Sequence, residues 1–162
     1  MKTGLKSLIL LLAATVVLLT NGCVHADQNT IIDQNTVISD QNWAYVNKIK
    51  ASFKIDDASA SYNLYLNLRI TPDYKYSNIF VLVHQTGPNN KTQTTRFEFK
   101  LANPDGEWLG EGSGNLYSYQ SPFRLNYKFP AKGNYQIELE QNMRDNPLHS
   151  VSDVGLRVEK AE

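Results

Sequence analysis

The chain has 162 residues, with 16 basic and 16 acidic side chains, and 41% of its residues are hydrophobic. This length allows one domain and leaves little room for a second. The net charge of zero argues against nucleic acid as a partner and against a polybasic membrane patch, because each needs a basic face. The single cysteine excludes an internal disulfide and a zinc site built from cysteines.

Residues 1–22 predict a signal peptide. Lys2 and Lys6 precede an uncharged, mostly apolar run from Leu8 to Thr20. This run is too short to span a bilayer comfortably but suits the core of a secretory signal. Its removal leaves 14 basic and 16 acidic side chains in the mature chain. The remaining residues, roughly 120 of them in the domain, are enough for a hydrophobic core.

Cys23 follows directly on this apolar run, in the sequence Leu19-Thr20-Asn21-Gly22-Cys23. The pattern resembles a lipobox, in which a cysteine after a small residue receives a diacylglyceryl group and becomes the mature N-terminus. Thr20 stands where leucine is usual. An ordinary signal-peptidase site at Val24-His25-Ala26 is the alternative. We predict that Cys23 is lipidated and carries acyl chains such as palmitate, which hold a protein firmly to a membrane when there are two or more.

Residues 23–41 predict a polar tether. The sequence Asp27-Gln28-Asn29-Thr30-Ile31-Ile32 recurs in altered form from Asp33 to Ile38. Two copies are too few for a solenoid, and their Asn, Gln and Asp content favours a solvated spacer with a reach of at most ~60 Å. The alternative is that Ile31-Ile32 or Val37-Ile38 adds an edge strand.

Residues 42–162 predict a single all-β domain. The clearest alternation of apolar and polar residues runs from Tyr62 to Ile70. Similar alternation is found at Ile49–Ile55, Thr95–Leu101, Phe123–Phe129, Tyr135–Leu139 and Val154–Val158. Ile79–Val83 is continuously apolar, which predicts a central strand covered on both faces. Seven to eight short strands separated by Gly, Pro and Asn turns indicate an antiparallel, jelly-roll-like β-sandwich.

The polar motifs predict no catalytic site, metal or cofactor. His25, His84 and His149 lack the spacing of metal ligands. The glycine-rich segment Gly110–Gly114 is followed by no predicted helix and does not match a nucleophile elbow, so we interpret it as a turn. Glu107 and Glu111 beside Trp108 could form a carboxylate pair, but a sandwich of this size leaves little surface for a cleft. We therefore expect a protein that is not an enzyme.

The segment around Trp108 predicts a tight turn. In Asn103-Pro104-Asp105-Gly106, we expect Gly106 at positive φ and Asp105 bonded to the turn backbone, with Trp108 packed beneath.

The nine tyrosines leave two interpretations open. Tyr117 and Tyr119, or Tyr74 and Tyr76, could present a partner surface, since tyrosine is enriched at interfaces. Alternating strands could equally bury these rings in the core.

Several segments together resemble the GldH family of gliding-motility lipoproteins from Bacteroidetes. The resemblance lies in Asn103–Gly112, Phe129–Tyr135, Gln141–Arg144 and Asp153–Lys160, and upstream in Tyr62–Arg69 and Tyr76–Phe80. It covers roughly residues 43 to 162 and keeps the order of the motifs.

The resemblance implies a cell-envelope lipoprotein of the gliding apparatus, linked to type IX secretion, that positions or stabilises partner proteins. It implies an anchor in the outer rather than the inner membrane, and it implies no catalytic residues. Cys23 is the one functional position that carries over. A glycan-binding envelope lipoprotein is the alternative, by analogy with other jelly rolls.

Overall fold

The computed structural model describes residues 29–112 and 115–162, which form ten β-strands and one 3₁₀ turn, Ser39–Gln41. The predicted signal peptide, Cys23 and the first part of the predicted tether lie outside the described residues. The strands are β1 Thr30–Val37, β2 Asn42–Trp43, β3 Ile49–Ile55, β4 Tyr62–Ile70, β5 Asn78–Thr86, β6 Thr92–Lys100, β7 Tyr117–Tyr127, β8 Gly133–Gln141, β9 Leu148–His149 and β10 Val151–Lys160.

Two four-stranded antiparallel sheets pack face to face. The front sheet has the strand order β1-β10-β4-β7, and the back sheet has the order β3-β8-β5-β6. Strands β2 and β9 form a separate short ladder. In chain order these are the two interlocked Greek keys of an eight-stranded jelly roll. The predicted jelly-roll-like sandwich is therefore confirmed.

The core lies between the inward faces of the two sheets. The alternation of apolar and polar residues along each strand places the apolar side chains in this core, because successive side chains point to opposite faces of a sheet. In β4, the apolar side chains of the predicted alternation are all buried, and Leu66 is 1% exposed. They are Tyr62, Leu64, Leu66, Leu68 and Ile70. At one end of the core, the ring of Phe129 contacts those of Phe53, Tyr62 and Tyr135 at centroid distances between 4.6 and 5.8 Å.

The segment predicted as a tether contains a strand. Residues 30–37 form β1, the edge of the front sheet, which pairs with β10 in the register Ile32 to Val158 and Thr36 to Val154. Ile31 and Ile32 pack against the core. The alternative of an edge strand is therefore correct, and the solvated spacer can extend no further than residue 29.

Two other predictions differ from the structure. Strand β5 is central, but its outward side chains Phe80 and Leu82 are only half-buried, and Phe80 is covered by the guanidinium of Arg96 at 3.7 Å from the ring centroid. Leu125 was expected to point inward and is 59% exposed. The pairing of β4 with β7 shifts register near Leu64, which turns Leu125 outward.

The sandwich has two distinct ends, separated by roughly 30 Å, the length of a nine-residue strand. One end, called here the loop end, carries the segments 38–48, 71–77, 101–116 and 142–150. The other, called here the terminal end, carries the turns 56–61, 87–91 and 128–132, the start of β1 and the end of β10. Both chain termini therefore leave the domain on the side opposite to the long loops.

Candidate functional site

Four aromatic residues, from two loop-end segments and the first position of β7, form one continuous group, called here the aromatic cluster: Tyr74, Tyr76, Trp108 and Tyr117. The ring centroids of Tyr74 and Tyr76 are 6.0 Å apart, those of Tyr74 and Trp108 are 6.4 Å apart, and those of Trp108 and Tyr117 are 5.7 Å apart. Edge-to-face and tilted contacts at these distances are favourable for aromatic pairs. The fold thus joins residues that lie more than 30 positions apart in the chain.

Burial divides the predicted tyrosines into two kinds. Tyr74 is 4% exposed and Tyr119 is 9% exposed. The hydroxyl of Tyr119 donates to the carbonyl of Leu101 at 2.9 Å, and burial raises the pKa of Tyr119 to about 12. Tyr76 and Tyr117 are half-buried. Of these four tyrosines, Tyr74 and Tyr119 are therefore buried parts of the fold, and Tyr76 and Tyr117 are the two that are partly exposed.

A tight turn holds Trp108 in the cluster. Gly106 has φ +90°, and its amide donates to the carbonyl of Asn103 at 3.0 Å. The side chain of Asp105 accepts a hydrogen bond from the amide of Glu107 at 3.3 Å. Trp108 is half-buried against the core. The predicted turn geometry and the near-core position of Trp108 are confirmed.

An ionic contact fixes the rim of the cluster. The hydroxyl of Tyr76 donates to a carboxylate oxygen of Asp145 at 2.7 Å, and Lys75 reaches the same oxygen at 3.3 Å. Hydrogen bonds from Tyr76 and Lys75 lower the pKa of Asp145. The Lys75 ammonium also lies 5.2 Å from the centroid of the Tyr76 ring. The Tyr76 ring is therefore held in place at the surface and not free to rotate into solvent.

Gln141 is a part of this site that no sequence motif indicated. Its side chain is fully buried and bonds both to the carbonyl of Asp145 at 3.1 Å and to the amide of Met143 at 2.8 Å. The buried amide therefore shapes the loop that carries Asp145. The available signal was a glutamine at the next inward position after Tyr135, Ile137 and Leu139, since a polar group in such a place needs partners.

Exposed apolar side chains lie at the same end. Val46 is 83% exposed, Val37 is 74% exposed, Leu109 is 48% exposed and Tyr45 is 36% exposed. Acidic residues outnumber basic ones by six to three in the four loop segments, with His149 counted as neutral. The loop end is therefore an apolar, aromatic and mildly acidic surface, which suits a protein partner better than a polyanion.

The outer face of the front sheet forms an open groove of about 780 Å³. Its polar groups bond mainly to each other: Asn67 donates to Asp33 at 2.8 Å, and Arg69 pairs with Asp153 at 2.6 Å. Leu109 and Glu111 form part of its wall. The groove offers hydrogen-bonding groups, and among its described lining residues the only aromatic ring is that of Tyr119.

The residues considered for catalysis and metal binding are dispersed. His84 contacts Thr94 and Glu140 on the back sheet, and His149 contacts Asn42 at the loop end. His25 lies outside the described residues. Within residues 29–112 and 115–162, no group of three or more His, Cys, Asp or Glu side chains is placed to hold a metal ion. No helix in this part of the chain is both long and apolar enough to cross a membrane.

A family model and two curated proteins match the sequence of this chain. The family model described as GldH lipoprotein matches residues 30–158, from the first strand to the last. The chain belongs to the GldH lipoprotein family. The match begins at β1, so the edge strand lies within the region that defines the family.

Two curated GldH proteins are similar to the chain over most of their length. A gliding motility lipoprotein GldH homolog from Christiangramia forsetii is 33% identical over 68% of this chain and 74% of its own. The gliding motility lipoprotein GldH of Flavobacterium johnsoniae is 28% identical over 95% of this chain and 96% of its own. No solved structure matches the chain.

Proposed function

We propose that this chain is a non-catalytic lipoprotein of the gliding apparatus, anchored to the envelope through a lipid on Cys23, that binds partner proteins with its loop end. The observation that carries the proposal is the aromatic cluster, which lies at the end opposite to the one where the chain arrives from Cys23. Such an arrangement leaves the partner surface at the end of the domain farthest from the anchor. The names of the two relatives support the motility role.

The family resemblance supports the partners, the membrane and the non-catalytic role in this proposal. The partners would be other envelope proteins of the gliding apparatus, which is linked to type IX secretion, and the anchor would lie in the outer membrane. The chain would stabilise or position these partners without catalysing a reaction, and it would need no cofactor.

The test compares two single substitutions in the native bacterium. Tyr117→Ala removes an accessible ring of the cluster, and Tyr65→Ala removes a half-buried tyrosine on the outer face of the front sheet. Colony spreading on agar, the amount of protein in the envelope and the melting temperature are measured for each. We expect Tyr117→Ala to abolish most spreading while its protein level falls no more than that of Tyr65→Ala, which spreads normally.

Three outcomes would each contradict a part of this proposal. Normal spreading of a strain that lacks the whole gene would remove the motility role. Normal spreading of the Tyr117→Ala strain, together with that of a Tyr76→Ala strain, would show that the aromatic cluster is not the partner surface. For the anchor, a mature N-terminus at Asp27 without lipid, found by mass spectrometry, would refute lipidation at Cys23.

A glycan-binding lipoprotein is the second candidate, and the polar groove on the front sheet favours it. Sugar sites usually add an exposed flat ring, and the rings of Trp108 and Tyr117 are tilted by 36° and do not form a planar platform. Calorimetric titration with envelope oligosaccharides would decide it. Binding that disappears in an Asn67→Ala variant but persists in Tyr117→Ala would favour the glycan role.

A further inference from the structure

The position of β1 limits how far the domain can lie from its anchor. Only six residues, 24–29, separate Cys23 from Thr30. Even fully extended, this connection reaches about 25 Å. The amide of Lys160 donates to the carbonyl of Asn29 at 2.8 Å, so the chain joins the domain at the terminal end of the sandwich. With the anchor proposed above, the terminal end stays within about 25 Å of the bilayer. The loop end lies roughly 30 Å from the terminal end.

An exposed leucine lies beside the point where the chain joins the domain. Leu125 is 59% exposed, and it lines one shallow hollow together with Asn29, Lys160 and Ala161. The next residue, Asn126, has φ +52°, and its amide donates to the side chain of Asn63 at 3.0 Å. This local backbone holds Leu125 on the outside of the sheet. A leucine held outward next to an anchored chain is placed to enter a lipid interface.

The turns around Leu125 supply a basic rim. Lys91, Lys128 and Lys132 are exposed at the tips of the turns of the terminal end. Most acidic residues of the same end have a local partner: Asp56 pairs with Lys54 at 2.7 Å, Asp57 accepts two hydrogen bonds from Ser59, and Glu159 pairs with Arg157 at 2.7 Å. Glu162 is exposed and lines the hollow beside Leu125. Lysines close to a membrane surface attract acidic lipid headgroups.

We propose that the terminal end lies against the bilayer, with Leu125 in the interface and Lys128 and Lys132 at the headgroups of acidic lipids. The inference rests on the anchoring of Cys23 proposed above. It adds a second, weaker contact to the lipid anchor and thereby orients the sandwich, so that the aromatic cluster points away from the membrane.

The experiment uses the mature protein, purified from the native envelope and reconstituted in vesicles that contain an acidic lipid and brominated acyl chains, which quench nearby tryptophans. Leu125→Trp reports on the terminal end, and Val46→Trp is the matched control at an exposed site of the loop end. The native Trp43 and Trp108 both lie at the loop end and give a common background. We expect the fluorescence added by Leu125→Trp to be quenched by half or more, and that added by Val46→Trp to be unchanged.

A charge variant tests the role of the lysines. Lys128→Glu with Lys132→Glu in the Leu125→Trp chain should lower the quenching at least twofold in acidic vesicles and leave it unchanged in neutral ones. If the double change leaves the quenching of the Leu125→Trp chain in acidic vesicles unaltered, the proposed contact of Lys128 and Lys132 with acidic lipids is overturned. The melting temperature of each variant verifies that the substitutions, all at exposed positions, leave the fold intact.

Flotation of the vesicles separates this inference from the proposed anchor. If the protein floats with the vesicles but the Leu125→Trp fluorescence is not quenched, the protein is anchored and the proposed orientation of the domain is overturned. Quenching at Val46→Trp alone would show that the loop end faces the membrane. Protein that does not float would overturn the anchor and the inference together.

Discussion

Gly155 lies on the outer face of β10, where it pairs with Asn35 of β1 on one side and Asn67 of β4 on the other. A Cβ atom at this position would overlap the carbonyl oxygen of Gln34 and the side chain of Asn35. The glycine therefore lets β1 approach closely enough to complete its ladder with β10, and the choice of this one residue decides whether the edge strand fits.

Gly155→Ala should lower the free energy of unfolding by about 2–3 kcal/mol, because backbone atoms must move to accept the methyl group. Gly106→Ala is the control, since nothing lies within 4 Å of its Cβ position and its cost is limited to the strain of a φ of +90°. Hydrogen exchange distinguishes the two effects. Amides of β1 should exchange faster in Gly155→Ala only, and equal exchange in both variants would contradict the role given to Gly155.

Strand β1 contributes to the stability of the domain although its sequence lacks the alternation of apolar and polar residues. Ile38, just after β1, is 7% exposed, and Ile31 and Ile32 pack on the core. A chain that starts at residue 42 loses these contacts and exposes β10 as an edge. It should be less stable than a chain that starts at residue 29 by about 3 kcal/mol or more, as expected for two or three isoleucines. Denaturant unfolding measures this, and equal midpoints would show that residues 29–41 act only as a spacer.

The alternation of apolar residues was enough to predict β3, β4, β8 and β10, because each has one face in the core and one outside. It failed for β1, where Asp33, Gln34 and Asn35 place polar groups on both faces of an edge strand. It also failed for Leu125, since register shifts between β4 and β7 interrupt the alternation there, while Phe123 and Tyr127 on either side still pack against the core.

For the candidate site, the sequence indicated the residue types and the structure supplied their arrangement. The turn chemistry around Gly106 is local and could be predicted in full. The contact of Tyr74 with Trp108 depends on two loops that meet at one end of the jelly roll, and no local pattern encodes that meeting. The side chain of Gln141 supports the loop around Asp145 only because the fold buries it, and the local sequence does not encode that burial.

The outer face of the back sheet contains charge pairs that make stability depend on pH. Glu138 pairs with Lys50 at 3.0 Å, and this hydrogen bond lowers the pKa of Glu138 against the effect of burial. Burial opposes the ionisation of Glu140, but hydrogen bonds from Lys48 and His84 outweigh it and lower its pKa as well. Both carboxylates are therefore more acidic in the folded than in the unfolded chain.

Because folding lowers both pKa values, the two glutamates contribute their full stabilisation above the ordinary glutamate pKa of about 4.3. This contribution is lost as the pH falls through the lowered pKa values of the folded chain. In Glu138→Gln with Glu140→Gln, the free energy of unfolding should change less steeply between about pH 5 and pH 3 than in the wild type. Lys48→Met with Lys50→Met should flatten the curve similarly. Parallel curves for wild type and both variants would show that these pairs contribute nothing.

At the scale of the whole molecule, the short connection between Cys23 and Thr30 is what keeps the terminal end close to the bilayer in the proposed orientation. Insertion of about 20 Gly and Ser residues after Ala26 would let the domain move away from the bilayer without changing any contact within it. We expect the quenching of the Leu125→Trp chain to fall severalfold, while flotation and melting temperature stay constant. Undiminished quenching would mean that the surface contact does not need the short connection.

The placement of β1 beside β10 also has a mechanical consequence. A pull between the lipid anchor and a partner held at the loop end would act along the strands, because β1 begins at one end of the sandwich and the loops lie at the other. The hydrogen bonds that join β1 to β10 lie across this direction. They would be loaded in shear and all at once, instead of opening one after another like a zipper. A domain attached in this way resists detachment of its first strand, which is the strand that would transmit force from a moving apparatus to the membrane.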